Sequence, residues 1–284
     1  MPLHVLQQLA DAAGQSIPED LPFRPGMGLQ AALARFAFTL SVMQGPDAVR
    51  RVADAICDEA IADGVSTLEI LFAPQLHRGA SVQTIVDAAL DGISGRAGLI
   101  LCGLFGEPPT VLEGHVQIAA SRPGVVGIDL AGGPAPAHKF TLKDYAAPYR
   151  LARQHGIGRT VHAGEGRPAR EIAVAVELLH AQRIGHGCTV LDDGALTDRM
   201  ISEQIVIEAC PTSNMQTGVI SSIAAHPLAQ WLKRGIRACI NTDNTYLSQT
   251  QASEEHRRAL AIDGMTTELL ELARQHGHAA AFRR

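Results

Sequence analysis

Seven apolar runs of strand length recur along the chain, at residues 66–74, 98–106, 125–133, 158–165, 183–187, 204–213 and 237–244. Each is short and closed by Gly, Pro, Asn or another polar turn residue, which suits strands buried on both faces of a parallel sheet. Amphipathic stretches lie between them. Residues 82–93 place Ile85, Ala88, Ala89 and Ile93 on one helical face, and residues 169–179 and 191–201 have similar spacing. Strand–helix alternation of this kind predicts a parallel sheet covered by helices.

Reactive side chains stand at the C-terminal ends of four of the runs: Asp129, His162 with Glu165, His186, and Asp243. A site assembled from many strand ends is the arrangement of a closed (β/α) barrel. An open doubly wound sheet concentrates its site at one switch point with a Gly-rich phosphate loop, and no GxGxxG or GxxxxGK[ST] follows any run. The predicted fold is therefore α/β, a TIM-type (β/α)8 barrel, as a single domain over 1–284. Seven strands are visible where eight are needed.

Residues 1–65 precede the first run and read as helical. Leu3, Leu6, Leu9 and Ala13 form one stripe, and the Pro-rich, acidic stretch 16–25 breaks it. Residues 29–43 and 46–62 predict two further helices, with Pro46 suited to a first turn after Gly45.

Composition removes several function classes. The 284 residues are 19% charged and 46% hydrophobic, with a formal charge of −5 and no basic cluster, so nucleic acid and anionic membranes are not expected partners. No apolar run reaches the ~20 residues that span a bilayer. The cysteines, Cys57, Cys102, Cys188, Cys210 and Cys239, are odd in number, widely spaced and without a CxxC pair. They read as reduced thiols in a cytoplasmic protein.

Four segments carry the chemistry. His162-Ala163-Gly164-Glu165 sets an imidazole and a carboxylate at a strand end, a metal ligand and an acid or base by type, or two groups that merely satisfy backbone. Gly185-His186-Gly187 leaves space beside a histidine. Asn241-Thr242-Asp243-Asn244 ends the last run; Asp243 suits either a metal ligand or a helix N-cap. Cys210-Pro211-Thr212-Ser213-Asn214 holds a cysteine in a buried-looking run, and Pro211 to Asn214 read as a turn.

HAGE, RIGHG, CPTSN and NTD, in this order and spacing, resemble the signature segments of adenosine deaminases. Gly127 to Gly132 (GIDLAG), Phe72 to His77 (FAPQLH) and His226-Pro227 are similar to further family segments, and the likeness runs from about Leu40 to Phe282. The resemblance implies zinc-dependent replacement of a purine 6-amino group by oxygen. It implies His162 and Asp243 as metal ligands, Glu165 as the proton donor to purine N1, and His186 as the group that positions or deprotonates the attacking water. It also implies Gly132 as a backbone contact to the base, and Asn244, standing where the family usually has a second Asp, as a substrate-side amide. One Zn2+ per chain is expected.

Three residue patterns depart from the family. Its first strand bears a His-x-His pair of zinc ligands; here His4 stands alone, and the segment from Pro2 resembles the stretch that comes after that strand. Asp243-Asn244 replaces Asp-Asp, and Leu71 stands where many members carry Arg. A longer natural protein or a diverged, metal-free member each accounts for the first departure. Without that strand the barrel is expected to be open, with two exposed edges and self-association through the gap. The expected partner is a small purine nucleoside. Adenosine or a related 6-aminopurine nucleoside is the first expectation; a modified adenosine such as aminodeoxyfutalosine, and a non-catalytic nucleoside binder, are the alternatives.

Overall fold

In the computed structural model, which describes residues 1–133, 135 and 137–282, all seven expected strands form. Three helices come first: α1 (Leu3–Ala12), α2 (Leu29–Val42) and α3 (Pro46–Ala62). Strands and helices then alternate: β1 (Glu69–Phe72), α4 (Val82–Ile93), β2 (Gly98–Leu104), α5 (Pro109–Ala120), β3 (Val125–Ala131), α6 (Ala146–Gln154) and β4 (Gly158–Ala163). The chain continues through α7 (Ala169–Glu177), β5 (Arg183–His186), α8 (Gly194–Ser202), β6 (Val206–Ala209), α9 (Pro211–Gln216), α10 (Leu228–Lys233), β7 (Arg237–Ile240), α11 (Ala252–Ala259) and α12 (Thr267–Ala280).

The strands run in sequence order, β1 to β7, every adjacent pair parallel. They curl into a barrel that lacks a β7–β1 pairing among the described residues. The β3–β4 contact is narrow, with only Gly127–Gly158 and Ile128–Arg159 in register. The main core lies between sheet and helices. Ile128, Val161, Ile184, Ile207 and Ala238 face Leu112, Tyr149, Ile172 and Trp231 in it, all fully buried. Burial of such side chains contributes roughly 1.5–3 kcal/mol each.

Local chemistry accounts for the helix limits. Ser81 caps α4 by accepting from Thr84 N–H at 3.2 Å, and Thr266 caps α12 from Leu269 N–H at 3.2 Å. Pro46 opens α3 as expected. Helices α3 and α4 cross closely at Gly92, where a Cβ would lie 2.2 Å from the Arg50 carbonyl oxygen. In α1 the buried face is Val5, Leu6, Leu9 and Ala10, while Leu3 is half exposed. The expected stripe through Leu3 and Ala13 is thus displaced: position 5 and position 10 face inward.

A second, smaller core joins α1, α2 and α3 to Leu21, Phe23 and Leu247. The segment between α1 and α2 crosses the end of the barrel where β6 and β7 finish. Phe23 N–H donates to Leu247 O at 2.6 Å, and Gly26 N–H to Met215 O at 2.9 Å.

The expectation of two exposed edges is corrected. Helix α12 packs on β7, and His276 Nδ1 accepts the edge N–H of Ala238 at 3.3 Å. At β1, Thr67 Oγ1 and His278 Nδ1 are 2.8 Å apart, and Phe282 N–H donates to Glu69 Oε1 at 2.8 Å. The middle of β1 stays open, with Leu71 39% exposed. No described helix is long and apolar enough to cross a membrane.

Candidate active site

At the C-terminal strand ends, β4 delivers His162 and the turn after it delivers Glu165. Gly164 in that turn has φ +74, and a Cβ there would meet Ile172 at 2.6 Å, so only glycine fits. Across the sheet, Gly185 lies opposite His162, and a Cβ at 185 would sit 3.3 Å from the His162 ring. Gly185 therefore makes room for the His162 ring.

His162 Nδ1 lies 2.9 and 3.1 Å from the two oxygens of Asp129, which is fully buried at the end of β3. Burial alone would lower the His162 imidazole. The charge and hydrogen bond of Asp129, with Asp243 and Glu165 adding, outweigh it and push it up to about 10. Asp129 also accepts from Cys102 Sγ at 3.3 Å, and burial holds that thiol well above its usual range.

The His186 ring stands edge-on to His162, with centroids 5.2 Å apart. Its Nε2 lies 3.6 Å from Glu165 Oε2. His186 adopts φ +66 and Asp243 φ +58, left-handed backbone that non-glycine residues rarely take. Strain of this kind gathers at functional sites. Asp243 is fixed by Ser213, whose hydroxyl donates to Oδ2 at 2.6 Å. The N-cap alternative for Asp243 is overturned, since the next α-helix starts at Ala252 behind Gln251. Gly132, at φ +79 just beyond β3, leaves open space where a Cβ would be, and Asn244 is half-buried after Asp243.

Pro211 to Asn214 are not a turn but the first residues of α9. The cause lies far away in sequence. Buried Glu255 of α11 accepts from Thr212 N–H at 2.7 Å and from Thr212 Oγ1 at 2.6 Å, holding the start of α9 in helical form. No local signal announces that contact. The helix carries Ser213 and Asn214 into the site, and Asn214 joins His186 to His226. Cys210 is buried with its thiol raised by desolvation, and no nucleophilic role fits it.

His162 and Asp243 are brought close enough to couple electrostatically. Among the described residues, however, no group of three or more His, Cys, Asp or Glu is placed to hold a metal ion. Catalytic zinc takes three protein ligands. One face of His162 is occupied by Asp129 and one oxygen of Asp243 by Ser213, leaving two donor atoms. That set does not fit a catalytic zinc by itself.

A sequence model of the family described as adenosine deaminase matches residues 4–283. An adenosine deaminase from Enterococcus faecalis is 35% identical over 234 residues, covering 78% of this chain and 68% of its own. One from Vibrio atlanticus is 33% identical over 273 residues, covering 91% and 79%. Among solved structures, an adenine deaminase from Arthrobacter aurescens superposes with a TM-score of 0.88 at 23% identity, over 99% of this chain and 90% of that one. A zinc-bound amidohydrolase from Burkholderia ambifaria gives 0.84 at 22%, over 99% and 82%. An Arabidopsis protein complexed with IMP gives 0.85 at 21%, over 99% and 87%. The chain belongs to the adenosine deaminase family of aminohydrolases.

Proposed function

We propose that this chain acts on adenosine or a related 6-aminopurine nucleoside, replacing the 6-amino group with oxygen. The observation that carries this reading is the convergence of Glu165, His186, His162 and Asp243 from three strand ends, with Glu165 and His186 3.6 Å apart. Adenosine deaminase relatives and a neighbour holding IMP, a 6-oxopurine, favour the same substrate class.

Water adds at C6, the C6–N bond breaks, and ammonia leaves with the proton that water releases. Glu165, protonated, donates to purine N1 and draws electron density from C6. Such an acid contributes about 10²–10⁴-fold. His186 faces the attacking water. Gly132 offers backbone to the base, and Asn244 offers an amide beside it. His162 and Asp243 are the residues present that would hold a zinc ion, and as two donors they do not complete a site for it.

Absorbance at the adenosine-to-inosine transition, measured with and without added zinc and alongside zinc content, tests the reading. Turnover that disappears in Glu165→Gln with metal content unchanged supports it. Substantial turnover in that variant sinks the role of Glu165. Nucleoside binding by a metal-free chain without turnover supports a non-catalytic relative instead.

A further inference from the structure

His186 heads a buried chain of three side chains that ends on the backbone. Asn214 Nδ2 lies 3.0 Å from His186 Nδ1, and Asn214 Oδ1 lies 3.3 Å from His226 Nε2. His226 Nδ1 accepts the backbone N–H of Leu228 at 3.1 Å. All three side chains are buried, and the His226 ring meets Trp231 edge-on, with centroids 5.2 Å apart.

A backbone N–H can only donate, so His226 Nδ1 carries no proton. A neutral imidazole has one N–H, which is therefore on Nε2 and donates to Asn214 Oδ1. Cys188 Sγ, 3.5 Å away, points at the same oxygen. The amide orientation of an asparagine is settled by its network. Turning this amide round would ask both nitrogens of His226 to accept, which a neutral ring cannot do. Burial, with His186 adding, holds His226 down at about 3, so the ring is neutral. Asn214 must then present its NH2 group to His186.

We propose that Asn214 and His226 are positioning residues that fix the tautomer of His186, keeping Nδ1 bare and the proton on Nε2. Neutral His186 then meets the site as a hydrogen-bond donor. Its Nε2 cannot take a proton from water, so His186 orients the attacking oxygen, and the released proton passes to a carboxylate, Glu165 or Asp243. This consequence rests on the deaminase reading; the protonation pattern does not. It also gives a role to His226-Pro227 and to the last residue of CPTSN. Pro227 and Leu228 start α10, so the geometry of that helix entry sets which nitrogen of a histidine 40 positions earlier carries the proton.

The test is a long-range proton–nitrogen correlation spectrum of the full chain labelled with [15N]histidine at neutral pH. Signals are assigned from His186→Gln and His226→Gln. The expected pattern is protonated Nε2 and bare Nδ1 on both rings. In Asn214→Asp the carboxylate accepts from both sides, so His186 should move its proton to Nδ1 while His226 stays as it was. A His186 protonated at Nδ1 in the parent protein overturns the proposal, whatever the variants do; an unchanged His186 in a folded Asn214→Asp also overturns it. In the activity arm, Asn214→Asp and His226→Leu should lower kcat about 10–100-fold, the usual effect of a supporting residue, with KM little changed. His226→Gln, whose amide can donate to Asn214, should restore most of it. A parent chain without turnover counts against the deaminase reading alone, because the imidazole pattern is read without substrate.

Discussion

The two ends of β5 carry two buried charge-bearing groups, Arg183 and His186, and they are treated in opposite ways. At the N-terminal end, Arg183 is paired with two carboxylates, while its Nη2 has no hydrogen-bond partner among the described residues. Its Nη1 lies 2.5 Å from Glu69 and 3.1 Å from the Ala280 carbonyl, its Nε lies 2.9 Å from Glu208, and its plane stacks 3.6 Å from the centre of Phe282. Gly127 and Gly158 leave the space that the Phe282 ring fills. Backbone at Arg183, Glu69 and Glu208 is ordinary strand. Three residues on, His186 sits at φ +66, facing a carboxylate without a guanidinium partner in its contacts. Matched charge at the base holds the fold. Strained and thinly matched groups at the other end are held by the rest of the fold, and stay available for chemistry.

Breaking the upper end should have the largest effect on turnover and the smallest on stability. Glu165→Gln is expected to cut kcat by about 10²–10⁴-fold while the urea midpoint stays within experimental scatter; a large drop in that midpoint would erase the distinction between the two ends. At the base, Arg183→Leu strands Glu69 and Glu208 and should cost about 3–5 kcal/mol in urea unfolding. Replacing all three by apolar residues of similar volume should recover much of that, because the desolvation penalty goes too.

A finer test addresses the ring that plugs the base. A Cβ at position 158 would lie 2.2 Å from Phe282 Cγ, so Gly158→Ala should cost about 1–3 kcal/mol through overpacking. Adding Phe282→Ala removes the obstacle, and the double variant should lose clearly less than the sum of the singles. Additive losses would show that the ring does not occupy that space in solution.

A last test concerns acid. Burial lowers the His115 imidazole from 6.5 to about 4, and burial with His186 lowers His226 to about 3. Both are neutral in the fold, so below pH 6.5 the unfolded chain binds more protons than the folded one. Stability is full above that pH and falls as pH drops toward those lower values, by up to about 1.4 kcal/mol per unit for each group. Neither ring nitrogen of His115 has a hydrogen-bond partner among the described residues. His115→Leu should therefore flatten the acid slope measured by urea unfolding between pH 4 and 6.5 without weakening the protein at neutral pH; an unchanged slope would argue against a neutral buried ring.

Much of this was legible in the chain of residues. Strand positions showed because buried parallel strands are apolar on both faces, and α3 and α4 showed because Pro46, Ser81 and a helical apolar period mark them locally. His162, Glu165, His186 and Asp243 showed because each stands at the end of such a strand. Less visible were contacts between residues with no shared local pattern. Pro211 to Asn214 read as a turn until Glu255, more than 40 positions away, is seen holding Thr212. The open seam read as two bare edges until α12 is seen lying against β7.

Sequence by itself determined the alternation, the family and which side chains gather at the strand ends, since periodicity and turn residues act over a few positions. Tertiary structure alone decided how those side chains are held: Asp129 on His162, Ser213 on Asp243, and the backbone of Leu228 reaching His186 through His226 and Asn214. The physical reason is that a hydrogen bond depends on a few tenths of an ångström and on which atom bears the proton. Packing of distant segments sets both.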